Sequence, residues 1–289
     1  MTKDIYSALW VSHSRIKDFE ACPRSFYLKY LYRDPKTGHK IKLMSPPLAL
    51  GSIVHTVLES LSVKPVKNRF EESLIIQLHK EWQMIEGKKG GFLNADIEKQ
   101  YKTRAEAILL KIMKDPGPLA RLAVKIKMDL PYFWLSEEKN MILSGKLDWM
   151  EYLPESDSVH IIDFKTSKYE EDDDSLQLPI YYLLAKNCQT RHITKMSYWY
   201  LERDPGMIEK KLPNEEETMQ KLIDKADEIL LAKKLNRFKC PQEGGCYACK
   251  PYEMILKKEA EFVGVSSYKE DIYVLENETS SETKESEIL

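Results

Sequence analysis

The chain has 289 residues, of which 43% are hydrophobic and 31% are charged, and its net charge is −2. This is an ordinary globular composition with enough apolar side chains for a sizeable core. The charge does not by itself indicate a nucleic-acid binder, although a locally basic surface fits within a neutral chain.

The sequence has no run of about 18 uncharged apolar residues, which excludes a transmembrane helix. Its N-terminus lacks the basic start and apolar run of a secretory signal. We therefore expect a cytoplasmic protein without a membrane partner. Five cysteines in such a protein are more consistent with buried, reactive or metal-bound thiols than with a disulfide framework.

The first third of the chain has a helical pattern. Residues 12–32 predict two helical segments, the first capped by Ser12 or Ser14 and the second with Pro23 in its first turn. Residues 34–47 are rich in proline and predict a loop. Three further helices are then expected, from near Gly51 past Leu61, over about 70–86 and over about 95–114.

The hydrophobic period then changes to that of strands. Residues 141–153 and 159–166 predict a hairpin, and residues 176–187 return to a helical pattern. A second hairpin is predicted over 195–203 and 207–212, followed by a helix over 214–235. Helices, then strands, then a helix and more strands predict an α/β domain with a mixed sheet.

The first hairpin carries an unusual set of charges. Asp163 and Lys165 are two residues apart, so they project from one face of their strand, whereas Ile162 and Phe164 face the other way. Asp148 lies in the partner strand. If it projects from the same face, two carboxylates and one ammonium converge, and such a site suits Mg²⁺ or Mn²⁺.

Lys165 in such a site could orient or help deprotonate an attacking water, or could hold a phosphate oxygen. The alternative is structural, because a cross-strand salt bridge between Lys165 and either aspartate accounts for the same residues. A lone D-x-K pattern does not decide between the two.

Two more pairs share helical faces. His55 and Glu59 are four residues apart, and His55 is a candidate metal ligand or, alternatively, a satisfied core histidine. Gln177 and Tyr181 are also four apart, which places an amide and a phenol beside the strand of Lys165. A helix cap and a tyrosine packed on the sheet would explain that pair equally well.

Together these residues read G-x-x-x-H (51–55), G-x-x-D (145–148), D-x-K (163–165) and Q-x-x-x-Y (177–181). In this order, over about Ser12 to Tyr252, the sequence resembles the RecB-type branch of the PD-(D/E)XK nuclease superfamily, including its AddB-like and CRISPR-associated exonucleases. The proline of the superfamily name is absent, since Leu147 precedes Asp148, as is common in this branch.

The resemblance implies a restriction-endonuclease-like mixed central sheet flanked by helices, and a nuclease that uses Mg²⁺ or Mn²⁺ to leave 5′-phosphates on DNA. It implies metal ligation by His55, Asp148, Asp163 and the main-chain carbonyl of Phe164. Lys165 would be the catalytic lysine, and Gln177 and Tyr181 would support the site and contact DNA.

We accordingly expect one nuclease domain over residues 1–275. It divides into a helical part (12–115), a catalytic core (120–235) and a Cys-rich metal-binding segment (236–256). Residues 276–289 are polar and acidic, and we expect this tail to be disordered.

The Cys-rich segment contains Cys240, Cys246 and Cys249 in a stretch rich in proline and glycine, which predicts a metal knuckle. The fourth ligand would be Cys22 or Cys188. The AddB-like relatives carry a 4Fe–4S cluster held by one upstream and three clustered cysteines, a layout that implies Cys22. The spacing departs from theirs, and a zinc ion with four cysteine ligands needs the same residues.

The substrate expected by analogy is single-stranded or frayed DNA, cut by an exonuclease rather than an endonuclease. Arg24, among aromatic residues of the N-terminal helices, could contact DNA, although such residues also form packed helix faces. A helicase or a CRISPR integrase would be the partner protein. Alternative functions are a CRISPR-associated spacer-processing exonuclease and, in another class, a non-catalytic iron–sulfur DNA-binding subunit.

Overall fold

The computed structural model describes residues 4–276, within which the chain forms ten strands and eight α-helices. The strands are β1 (Leu9–Val11), β2 (Lys40–Leu43), β3 (Tyr132–Ser136), β4 (Met141–Ser144), β5 (Trp149–Leu153), β6 (Ser158–Lys165), β7 (His192–Tyr200), β8 (Met207–Lys210), β9 (Glu261–Val265) and β10 (Glu270–Val274). The helices are α1 (His13–Ala21), α2 (Pro23–Phe26), α3 (Pro46–Glu59), α4 (Leu74–Trp82), α5 (Ala95–Lys114), α6 (Gln177–Cys188), α7 (Glu215–Lys234) and α8 (Lys250–Leu256).

The central sheet has the strand order β5-β6-β7-β8. β6 pairs antiparallel with β5 and parallel with β7, and β7 pairs antiparallel with β8, so the sheet is mixed as predicted. The parallel pair needs a crossover connection, which α6 supplies. This sheet with helices packed against it confirms the expected α/β, restriction-endonuclease-like fold class.

Both faces of the central sheet are covered along β6, so that seven of its eight residues are buried, polar ones included. Val159 and Ile161 face a core shared with α6, whereas Ile162 and Phe164 face a second core shared with α3 and α5. Each of these side chains is at most 1% exposed, and burial of one such side chain stabilises the fold by about 1.5–3 kcal/mol. Asp163 belongs to the same buried strand, so its charge lies within this layered core.

The prediction of one continuous strand over residues 141–153 is wrong, because the structure has two separate strands there. β4 ends at Ser144 and joins a separate sheet, β1-β4-β3, while β5 begins at Trp149 in the central sheet. The break is at Gly145, where α6 passes so close that a Cβ atom would lie 2.8 Å from Leu184 Cδ1. Asp148 therefore lies in the connection immediately before β5 rather than inside a strand.

Residues 34–47 are also not a loop throughout, because β2 lies within them and pairs parallel with β10. β10 also pairs with β9, and neither of these C-terminal strands was predicted. α3 begins at Pro46 instead of near Gly51, since prolines are tolerated in the first turn of a helix.

Most helix predictions are confirmed. α5 covers the predicted residues 95–114, and α7 lies within one residue of the predicted bounds. Ser12 caps α1 by accepting from the backbone N–H of Arg15, and Pro23 occupies the first turn of α2. Within the described chain no helix has the length and apolar character to cross a membrane. Apart from Glu276, the predicted disordered tail lies outside the described residues.

Candidate metal centre and active site

Four neighbouring elements bring the candidate site together at one end of the β5–β6 hairpin. α3 contributes His55 and Glu59 from its last turns, the β4–β5 connection contributes Asp148, β6 contributes Asp163 and Lys165, and the first turns of α6 contribute Gln177 and Tyr181.

An imidazole and two carboxylates form the first part of the site. Asp148 Oδ1 lies 3.2 Å from His55 Nδ1, and Glu59 Oε1 lies 3.8 Å from the same nitrogen. The ligand atoms of these three residues all lie within 4.8 Å of one another. One neutral imidazole nitrogen with carboxylate oxygens is a donor set that Mn²⁺ and Mg²⁺ accept.

The pKa of His55 shows how strongly this group attracts a cation. Burial alone would lower that pKa, but the carboxylates of Asp148 and Glu59 outweigh burial and raise it to about 10. A proton on the imidazole and a divalent cation are thus alternative ways to neutralise the same two carboxylates.

Asp148 is fixed by the main chain of β6. The backbone N–H of Phe164 donates to Asp148 Oδ2 at 2.8 Å, and Phe164 stands between Asp163 and Lys165. This contact connects the imidazole–carboxylate group to the second part of the site. The carbonyl of Phe164 as a metal ligand stays a prediction.

Asp163, Lys165 and Gln177 form the second part of the site. Lys165 Nζ lies 3.1 Å from Asp163 Oδ2 and donates to Gln177 Oε1 at 2.5 Å. Gln177 Nε2 donates in turn to Asp163 Oδ1 at 2.8 Å. The amide of Gln177 therefore contacts both charged groups, and the supporting role that the resemblance implies for it stays a prediction.

Lys165 is held as a cation. Burial would lower its pKa, but the carboxylates of Asp163 and Glu171 outweigh burial and raise it. Glu171 Oε1 lies 3.2 Å from Lys165 Nζ. A lysine with a raised pKa is suited to stabilise negative charge or orient a water molecule and unsuited to act as a general base.

The carboxyl group of Asp163 is 1% exposed, and its burial, reinforced by the charge of Asp148, raises its pKa to about 7. Among the described residues, its Oδ2 atom has no hydrogen-bond partner despite the nearby ammonium. The charges of Asp148 and His55 act on this buried carboxyl group, so a divalent cation held by His55, Glu59 and Asp148 would also neutralise Asp163. The residues present therefore fit the metal that the resemblance implies.

The structure groups the predicted ligands differently from the sequence analysis in one respect. Glu59, rather than Asp163, completes the compact group with His55 and Asp148. Helical spacing from His55 is the only sequence signal for Glu59, and no sequence pattern indicates the contact of Glu171 with Lys165. Glu171 lies in an acidic run over residues 170–174, and such a run does not indicate which of its members contacts Lys165.

Tyr181 and Gln177 line a cavity of about 670 Å³ beside this network. The Tyr181 hydroxyl accepts from Gln177 Nε2 at 3.2 Å, and burial raises its pKa well above the ordinary value. Tyr181 is therefore a neutral phenol that holds the amide of Gln177 in place through this hydrogen bond. Contacts of Gln177 and Tyr181 with DNA stay predictions.

The cysteines form a separate group. The sulfur atoms of Cys22, Cys240, Cys246 and Cys249 all lie within 4.8 Å of one another. Tertiary structure therefore selects Cys22 over Cys188, which instead donates to the carbonyl of Tyr132 at 3.5 Å. Four clustered thiols, three of them buried, are a donor set for a metal ion or cluster.

Thiolate formation in this group is favoured at one position. Burial would raise the pKa of Cys246, but the backbone N–H groups of Cys249 and Ala248 outweigh burial and lower it to about 7. Arg24, two residues after Cys22, forms an ion pair with Glu253 at 2.6 Å. This pair joins α2 to α8, whereas the DNA contact expected of Arg24 stays a prediction.

Comparison with known proteins agrees with this geometry. Residues 10–254 match the family described as the PD-(D/E)XK nuclease superfamily, a range that contains both groups of candidate ligands. No curated protein matches the chain. The match covers most of the sequence, and the chain therefore belongs to the PD-(D/E)XK nuclease superfamily, whose members are metal-dependent nucleases.

Proposed function

We propose that this protein is a RecB-type deoxyribonuclease that depends on Mg²⁺ or Mn²⁺ and cuts single-stranded or frayed DNA ends, as an exonuclease, in repair or recombination. One observation carries the proposal. The imidazole–carboxylate group of His55 and Asp148 adjoins the Asp163–Lys165 pair, and the backbone N–H of Phe164 connects the two.

His55 and Asp148 would hold the divalent ion, with a further oxygen from Glu59 or Asp163. When bound, such an ion lowers the pKa of a water molecule and neutralises charge on phosphoryl oxygens. The carboxyl group of Asp163 is buried and close enough to Asp148 for the two charges to interact, which supports its use as a ligand.

Lys165 supplies a fixed positive charge beside the reacting phosphate. Asp163, Glu171 and Gln177 hold its ammonium group in place, so it can bind a phosphate oxygen or orient the water molecule without prior rearrangement. In the hydrolysis the water oxygen bonds to phosphorus and the P–O3′ bond breaks. The O3′ atom takes up a proton, the water gives one to solvent, and a 5′-phosphate remains.

The test is cleavage of end-labelled single-stranded DNA with Mg²⁺ or Mn²⁺. Asp163→Ala and Lys165→Ala should each reduce the cleavage rate by at least about 10²-fold, because each removes preorganised charge from the site. Lys80→Ala, at an exposed lysine of α4, is the matched control and should retain full activity. Circular dichroism would establish that the variants fold, and full activity in folded Asp163→Ala would refute the proposal.

The same assay separates the enzyme from a non-catalytic DNA-binding subunit, which would bind the labelled strand without shortening it. A spacer-processing role would share the chemistry and differ in its partner, an integrase in place of a helicase. A CRISPR array beside the gene would favour that role.

For the four clustered cysteines, a metal centre that joins Cys22 to the C-terminal segment is the role supported by their geometry. Resemblance to AddB-like nucleases favours a 4Fe–4S cluster. The sulfur atoms lie within 4.8 Å of one another, which suits a single tetrahedral zinc ion with Zn–S bonds of about 2.3 Å. Anaerobic purification distinguishes them: brown protein contains iron and sulfide, and colourless protein with one zinc per chain contains no cluster.

A further inference from the structure

A cleft of about 770 Å³ opens directly beside the candidate metal ligands. Glu59 and Asp148 form part of its wall, and three lysines, Lys125, Lys127 and Lys146, form another part. Lys146 also lines the cavity of about 670 Å³ that contains Gln177 and Tyr181. The two cavities therefore flank the candidate active site, one on the side of Glu59 and one on the side of Gln177.

Lys125 and Lys127 line the cleft because exposed and buried side chains alternate over residues 125–127. Ile126 between them is 6% exposed and belongs to the core beneath, whereas Lys125 and Lys127 on either side of it are exposed. The main chain just before them is fixed, because the N–H of Val124 donates to the carbonyl of Met150 in β5 at 2.9 Å.

Within the described residues, no carboxylate neutralises Lys125 or Lys127 in an ion pair. Both side chains are exposed, and across residues 4–276 neither forms an ion pair, whereas Lys146 pairs with Glu59. The same segment exposes two apolar side chains, since Met128 is 37% exposed and Leu130 is 46% exposed. A positively charged groove that follows the phosphate backbone is the feature that this segment shares with proteins that bind single strands, and Met128 and Leu130 add apolar surface beside it.

We propose that Lys125 and Lys127 bind the phosphates of a single-stranded polynucleotide and so guide the strand past Lys146 to the metal ligands. This inference rests on the proposed nuclease function and identifies the surface along which the substrate strand binds. Neither lysine was a candidate in the sequence pattern, because a K-I-K segment has no signature of its own.

The test measures binding separately from cleavage. Fluorescence anisotropy with a labelled oligo-dT strand in EDTA, over a series of salt concentrations, reports affinity without hydrolysis. The comparison is full-length protein against the double variant Lys125→Ala/Lys127→Ala. We expect at least a tenfold weaker Kd and a decrease of roughly 1.4 in the slope of log K against log salt, about 0.7 for each phosphate contact.

The matched control is Lys80→Ala/Lys99→Ala, which removes two exposed lysines from α4 and α5 outside both cavities. An unchanged salt slope in the cleft variant, or an equal loss in the control, would overturn the inference. So would an equal loss on a blunt duplex, since the track is proposed for a single strand. Failure of the nuclease proposal would differ, because wild-type protein would then bind through these lysines without cutting.

Discussion

The carboxyl group of Asp163 is buried, and burial together with the charge of Asp148 raises its pKa to about 7. An unfolded aspartate titrates near 3.9. Between these two pH values the folded, metal-free protein binds more protons than the unfolded chain, so the free energy of unfolding decreases as the pH rises. Ionisation of Asp163 in the absence of a bound metal ion therefore lowers the stability of the folded protein.

Asp163→Asn should therefore stabilise the metal-free protein at pH 8 by an amount on the order of 1 kcal/mol, while it abolishes cleavage. The amide keeps the shape of the side chain and carries no charge. Urea unfolding in EDTA at pH 5 and pH 8 measures the effect. The wild-type protein should lose more stability over this interval than the variant, and parallel pH profiles would show that Asp163 ionises without cost.

At the scale of single elements, α5 covers the sheet beside the candidate site, and its N-terminus is fixed by a side-chain cap. α5 packs over the sheet face that contains Phe164, through Ile108 and Leu109. Its first turn is capped by Asn94, whose side-chain oxygen accepts from the N–H of Ile97 at 2.9 Å. This cap satisfies one of the backbone donors that a helix N-terminus leaves without a partner.

Asn94→Ala should lower the free energy of unfolding by about 1 kcal/mol, because it removes that acceptor. Asn94→Asp preserves an acceptor at the same position and should cost much less. Chemical denaturation of the two variants and the wild type measures the difference. Equal losses in both variants would mean that the side-chain cap contributes nothing.

On the scale of the whole molecule, residues 22–43 near the N-terminus contact residues 240–274 near the C-terminus at several points. Cys22 meets the C-terminal cysteines, Arg24 pairs with Glu253, and β2 pairs with β10. A metal centre at the cysteines would therefore stabilise contacts between segments more than 200 residues apart, coupling metal binding to folding of the terminal segments.

Cys249→Ser should remove the bound metal and lower the free energy of unfolding by at least about 2 kcal/mol, since a ligand that binds only the folded state is lost. Cys188→Ser is the matched control, because Cys188 lies outside the cysteine group. Metal content per chain and urea unfolding are the measurements. Full metal content in Cys249→Ser would refute a four-cysteine site.

Local patterns in the sequence predicted what depends on neighbours within one or two turns of chain. The period of α5, a serine cap at position 12 or 14 and the shared face of Asp163 and Lys165 follow from local geometry, and the family motifs implied that His55 lies near Asp148.

Contacts between distant segments required the folded chain. β2 is a strand because β10 pairs with it, and the strand near Asp148 breaks because α6 crosses Gly145. Glu171 reaches Lys165 for the same kind of reason, as the folded chain sets which loop lies over β6. These contacts are stabilised by surfaces that meet only when the chain folds. The local sequence of one segment does not indicate which distant segment will contact it.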